Sequence, residues 1–386
     1  MTSYYLKTLV FFLALFINLP LNYAQNQEIE KKKHYPSVSA NYGYGQILPT
    51  TDFVKGDNLM GAPMDNFQSF TLKVLWQNPG YKPWQQIYKG PYYGFGISLG
   101  DFFNPKEVGY PISYYGILGI PIQQWKKLEL YAEFQFGFTQ NWVHYDSITN
   151  PKNVVIGAGH TVHLNIGINA FYPLSKHIDL GAGLSFIHFS NGGMERPNRG
   201  FNIYSPSVEL KYHINSRPNT RAIKEAKKIN RTHDLLLMIG YGNHQLVEHE
   251  FDTNYYAIGG LSAIYFNRLS NAFRLGAGVD VNYWWGLNAR QDGTIGPRTL
   301  ENFTIGLLLQ PEMIIDRLSL VGGIGIYARH LNYGNFHQTY QRLGVRYDVY
   351  KNWSVGINVR AVNFMLAEFM EFNMAYVFKW NKQKTK

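Results

Sequence analysis

From about residue 35 to residue 380 the chain is a succession of segments, each about ten to fourteen residues long, in which apolar and polar side chains alternate. This period of two constrains the fold more than any other feature, because successive side chains of a strand point to opposite faces. In the fifth segment Leu128, Leu130, Ala132, Phe134 and Phe136 share one parity, and Glu129, Tyr131, Glu133 and Gln135 the other. The pattern predicts strands near 35–47, 67–78, 91–102, 111–121, 127–139, 158–172, 177–190 and 201–214. A second set is predicted near 232–243, 253–267, 272–285, 299–311, 317–329, 337–349, 353–365 and 367–380. Short turns at 122–126, 173–176, 268–271 and 350–352 largely alternate with long connections at 48–66, 140–157 and 286–298. Membrane β-barrels have this rhythm, with brief turns at one end and larger loops at the other. The connection at 79–90 breaks it.

The N-terminus, with Lys7 followed by Leu9 to Phe16, reads as a secretory signal peptide over residues 1–24, cleaved near Ala24. No later stretch reaches the roughly 18 continuous apolar residues of a membrane helix. An exported chain of this kind is secreted, periplasmic or a barrel. Charged residues make up 16% of the chain and aromatic residues another 16%. An ordinary soluble protein carries roughly 25% charged residues, so the composition favours β-structure at a membrane. With no cysteine, disulfides and thiolate metal sites are excluded. The formal charge of +10 has two readings, solubility together with a basic linker, or attraction to an anionic surface such as the phosphates of lipopolysaccharide. An exported chain without a recognised motif is not expected to bind nucleic acid.

Lys73, His163, Asn165 and Asn169 fall on the polar parity of their segments. Buried charges need partners, so Lys73 is expected to pair with Glu129 or Glu133 in a filled lumen, and His163 to be a satisfied lumen histidine. An eight-stranded barrel has such an interior. The two sets also resemble each other. Asn41-Tyr42-Gly43-Tyr44-Gly45-Gln46 echoes Ile239-Gly240-Tyr241-Gly242-Asn243, and setting Gly181 on Gly356 places Asn363 opposite His188 and Met365 opposite Ser190. The expected architecture is all-β: a transmembrane antiparallel barrel over 35–214, a basic linker over 215–231 and a second, degenerate barrel over 232–380. A single sixteen-stranded barrel is the alternative.

The seventh segment carries the chemistry. Ile178, Leu180, Ala182, Leu184 and Phe186 are apolar at every second position, and His188 and Ser190 continue that parity. If the N-terminus is periplasmic, this strand ends at the outer surface with both residues facing lipid. Residues i and i+2 lie roughly 6.6 Å apart along a strand, within reach of an imidazole activating a hydroxyl. Asn191 and the backbone at Gly192-Gly193 are candidate donors to an oxyanion. On the residues alone a second reading stands beside this one: a polar strand end with a glycine turn and an interfacial histidine.

The run His188-Phe189-Ser190-Asn191-Gly192-Gly193, followed by Pro197-Asn198 and Gly200, resembles the signature of the outer-membrane lipid A 3-O-deacylases of the PagL type, over roughly residues 35–214. The resemblance implies an eight-stranded barrel in the outer membrane of a Gram-negative bacterium, acting on lipid A in the outer leaflet. It implies Ser190 as nucleophile, His188 as general base, Asn191 and the Gly193 amide as oxyanion donors, and hydrolysis of an ester-linked 3-hydroxyacyl chain with no metal or other cofactor. Where that family places a glutamate as third triad member, this chain has Asn202. Asn202 keeps the outward parity of Tyr204, Val208 and Leu210 and is the expected orienting group. Glu195 in the adjacent loop is the alternative acid, a weakened site is a third possibility, and Glu209 points inward by parity. From another class, a non-catalytic barrel in a structural, adhesion or transport role is the competing function.

Overall fold

The computed structural model describes residues 35–228, 232–245, 254–286, 295–296, 300–329, 338–362 and 366–381. The signal-peptide segment, Asn363 and Met365 lie outside them. The first eight strands are β1 (Pro36–Ile47), β2 (Asn66–Gln77), β3 (Tyr92–Asp101), β4 (Gly109–Gln124), β5 (Glu129–Trp142), β6 (His160–Pro173), β7 (Ile178–Ser190) and β8 (Phe201–His213). The second eight are β9 (Thr232–His244), β10 (Tyr256–Arg268), β11 (Phe273–Trp284), β12 (Phe303–Ile315), β13 (Leu318–Arg329), β14 (Thr339–Tyr350), β15 (Trp353–Val362) and β16 (Leu366–Asn381). Each set closes into its own antiparallel barrel, β1 pairing with β8 and β9 with β16. The two-barrel expectation holds, and the single sixteen-stranded alternative is ruled out.

Polarity is inverted relative to a soluble protein. Phe70, Leu72, Ile97, Ile166, Leu184 and Val208 on the first barrel stand exposed, as do Ile239, Leu261, Leu307 and Ile324 on the second. The charges are inside. Lys73 Nζ lies 3.0 Å from Glu133 Oε1 and 2.8 Å from Glu209 Oε2, while the Tyr92 hydroxyl and the Gln135 amide donate to Glu133 at 2.5 and 2.6 Å. Glu133 is thus the partner expected from parity, and Glu129 is not: it accepts from the Tyr131 hydroxyl. His163 is a lumen residue, 3.1 Å from Gln135 Oε1 and stacked on Tyr115 with ring centroids 4.4 Å apart. The second lumen repeats the logic with other residues. Arg274 bridges Asp234 and Glu312, and Arg342 bridges Asp280 and Glu371.

The connection that broke the short–long rhythm has a structural reason. It carries a short helix, α2 (Pro83–Ile87); the other short helix, α1 (Asp52–Lys55), sits in the β1–β2 connection. Beyond α2, the Tyr88 hydroxyl donates to the carbonyl of Ile314, near the end of β12, at 2.7 Å, with the carbonyl of Ala272, in the β10–β11 turn, 3.3 Å away. Tyr88, Leu118 and Ile315 form a buried apolar cluster there, with Trp84, Ile87, Met313 and Leu318 packed against it. The long connection joins the barrels. The basic linker also takes part: Arg221 donates to the Lys126 carbonyl of the first barrel at 3.0 Å, and the Asn271 side-chain amide of the second donates to the Lys227 carbonyl at 2.8 Å.

At the opposite end, the loops of the first barrel fold over an apolar plug that includes Phe67, Phe102, Trp142, Ile156, Ile187, Phe189, Phe201 and Ile203. The last four alternate with the candidate site residues on β7 and β8. Burying the inward parity here fixes the outward parity, because a one-residue slip would exchange the faces.

Candidate active site

β7 and β8 pair so that His188 lies directly opposite Asn202, and Phe189 opposite Phe201. Inside, Phe189 and Phe201 are buried in the apolar plug. Outside, His188 Nδ1 lies 2.7 Å from Asn202 Oδ1, and His188 Nε2 lies 2.9 Å from Ser190 Oγ. The three side chains form one hydrogen-bonded chain, half-buried on the outer face of the rim.

The chain of bonds selects a tautomer. An amide oxygen only accepts, so the imidazole proton sits on Nδ1 and the Nε2 lone pair faces the Ser190 hydroxyl. That is the arrangement a general base requires. Asn202 therefore orients the ring as a carboxylate would. It lacks the negative charge that stabilises an imidazolium. In the Ser-His-Asp template, Asp→Asn costs about 10⁴ in rate, largely through the wrong tautomer. Here the tautomer is right, so restoring the charge should bring a smaller gain. Asn202→Asp is expected to raise kcat about 10-fold and Asn202→Ala to lower it about 100-fold, read from initial rates of fatty-acid release. Asn202→Glu should keep or raise activity, and a strong loss would argue against the orienting role.

Glu195 does not occupy the alternative position. Both ring nitrogens of His188 are taken, and the Glu195 backbone carbonyl accepts from the Asn191 side-chain amide at 2.6 Å. Burial pushes the Glu195 carboxyl above its ordinary range, with His144 nearby opposing the shift. Glu209 is in the lumen, as parity required.

The expected oxyanion donors have partners of their own in this conformation. The Gly193 amide donates to Asn191 Oδ1 at 3.0 Å, and the Asn191 side chain donates to Glu195 O. Both expected donors are engaged within their own loop, and the Asn191 backbone amide donates to Asn198 Oδ1 at 2.9 Å. Gly192 and Gly193 have φ of +68° and +81°, a region glycine enters without Cβ strain. Parity and spacing could not show these bonds, because they form inside an irregular loop.

Two residues of the motif gain roles that sequence reasoning had not given them. Asn198 fixes the start of the loop through the bond to Asn191. Gly200 has φ of +71°, and a Cβ there would lie 2.7 Å from the Phe189 carbonyl, 3.1 Å from His188 Cε1 and 3.3 Å from Ser190 Cβ. Only glycine lets the chain turn this closely beside His188 and Ser190. The signal in the sequence was its place at the head of β8.

Two closed barrels with an outward-facing Ser-His-Asn chain at one rim define a two-barrel protein with a hydrolase-type constellation. Residues 70–211 match the model of the lipid A 3-O-deacylase (PagL) family, and residues 233–380 match that of the acyloxyacyl hydrolase C-terminal domain. Among solved structures, the outer membrane enzyme PagL is 15% identical, with a TM-score of 0.30, over 44% of this chain and 97% of that one. An outer membrane channel from Pseudomonas putida F1 is 12% identical, with a TM-score of 0.20, over 93% of this chain and 100% of that one. The Acinetobacter baumannii outer membrane protein Omp33 is 8% identical, with a TM-score of 0.16, over 90% and 98%. No curated protein matches the chain.

Proposed function

We propose that the protein is an outer-membrane serine esterase that removes an ester-linked 3-hydroxyacyl chain from the lipid A of lipopolysaccharide. The observation that carries this reading is the hydrogen-bonded chain Ser190–His188–Asn202 on the outer face of the first barrel. A nucleophile aimed away from the lumen serves a substrate that lies beside the barrel. The inverted polarity supports a lipid environment: exposed aliphatic side chains around lumens filled with paired charges are the arrangement a bilayer demands. The match of the first barrel to the deacylase family supports the choice of substrate. The net positive charge suits the phosphates of lipid A.

In this mechanism Ser190 Oγ attacks the ester carbonyl while His188 Nε2 takes the hydroxyl proton. The carbonyl oxygen, now negative, displaces Asn191 Oδ1 as acceptor from the Gly193 amide, and the Asn191 side-chain amide turns toward it. His188 then returns the proton to the departing sugar hydroxyl, leaving the acyl chain on Ser190. Water, activated by the same imidazole, releases the 3-hydroxy fatty acid and restores the serine.

The test is mass spectrometry of lipid A from a Gram-negative host expressing the protein. Wild type is expected to remove the mass of one 3-hydroxyacyl chain. Unchanged lipid A from cells with correctly inserted protein would leave the non-catalytic barrel as the better account.

A further inference from the structure

We propose that the second barrel positions the loop carrying the oxyanion donors, so that Gln245 and the head of β16 serve the hydrolase without touching a reacting atom. The proposal rests on the hydrolase reading given above. Residues 191–196 lean on the second barrel at two places. The Arg196 backbone amide donates to Gln245 Oε1 at 2.7 Å. Three residues earlier, a Cβ built on Gly193 would lie 2.8 Å from the Ala367 carbonyl and 2.9 Å from that of Glu368; on Gly192 it would lie 2.9 Å from Met370 Cε.

Local geometry on the second barrel explains why it offers those groups. Across the β15–β16 pair, Arg360 faces Phe369 and Ala361 faces Ala367, which leaves Glu368 as an extra residue in the ladder. Such a bulge disrupts the ladder and bends the strand locally. Met370 shares the outward parity of Met374, yet Met370 is 5% exposed and Met374 is 42% exposed. The glycine loop of the first barrel provides that cover. Two consecutive glycines in the left-handed region have many other conformations open to them, so a fixed backing surface holds the loop in the one that pairs the Gly193 amide with Asn191 Oδ1. The second barrel, which carries no Ser-His chain among its described residues, thereby gains a role at the site of the first.

The experiment compares purified wild type, Gln245→Ala, Gln245→Glu and Met370→Ala on lipid A in mixed micelles. Gln245→Ala is expected to lower kcat at least ~10-fold with KM within about twofold, because misplacing an oxyanion donor costs turnover rather than binding. Its thermal unfolding should match wild type. Gln245→Glu retains an acceptor for the Arg196 amide and should recover kcat to within about threefold. Met370→Ala, which opens space under Gly192, should lose kcat in the same manner. Wild-type kcat in both alanine variants would overturn the proposal, as would a loss in Gln245→Ala that Gln245→Glu does not recover. An inactive wild type would remove the hydrolase reading itself, and this inference with it.

Discussion

Ser190→Ala and His188→Ala are each expected to lower kcat for deacylation by about 10⁴-fold or more, and the double variant to lose little beyond either single one. The reason is geometric. Ser190 Oγ sits 2.9 Å from His188 Nε2, and in the proposed mechanism the hydroxyl attacks only while that nitrogen can take its proton. Removing either partner removes the same step, and residues acting as one unit show strongly non-additive losses. Independent effects would multiply to about 10⁸. Single-turnover rates on purified protein separate the two outcomes. Losses that multiply would mean that Ser190 and His188 do not act on one proton.

The second large effect is expected in the lumen. Lys73 stands between Glu133 and Glu209, and these three side chains are only 2–4% exposed. Lys73→Met leaves two carboxylates facing each other in a closed interior. Breaking a buried ion pair from one side costs about 3–5 kcal/mol, mostly as the penalty of the stranded charge. Replacing the whole set with neutral groups of similar size avoids that penalty. Lys73→Met is therefore expected to lower the stability of the first barrel by about 3–5 kcal/mol in urea unfolding from lipid vesicles, and Lys73→Met/Glu133→Gln/Glu209→Gln to recover most of it. A single variant within about 1 kcal/mol of wild type would mean that water in the lumen replaces the lysine.

Parity carried much of this far. It put His188, Ser190 and Asn202 on one outer face and Glu209 inside, because a strand's side chains alternate whatever the strand packs against. It also made β7 and β8 neighbours, which brought a histidine and an asparagine fourteen positions apart in the chain into one register. What it could not supply was the identity of distant partners. Glu209 joins Lys73 across the lumen from β8, a contact set by closure of the barrel and not by any local pattern. The 79–90 connection breaks the rhythm because its purpose, docking Tyr88 against Ala272 and Ile314, lies 184 and 226 residues away in the chain. The bonds of Asn191 and Gly193 escaped for a different reason. In a loop the period is lost, and the placement of donors follows from left-handed glycines and from what the loop rests on.

The central claim is that Ser190 on the outer face of the first barrel opens an acyl ester of lipid A. It is tested most directly by incubating purified protein with defined lipid A and identifying the acid released. The account predicts a 3-hydroxy fatty acid and lipid A lighter by one such chain from wild type, with neither product from Ser190→Ala. Release of the same acid by Ser190→Ala at the wild-type rate would contradict it.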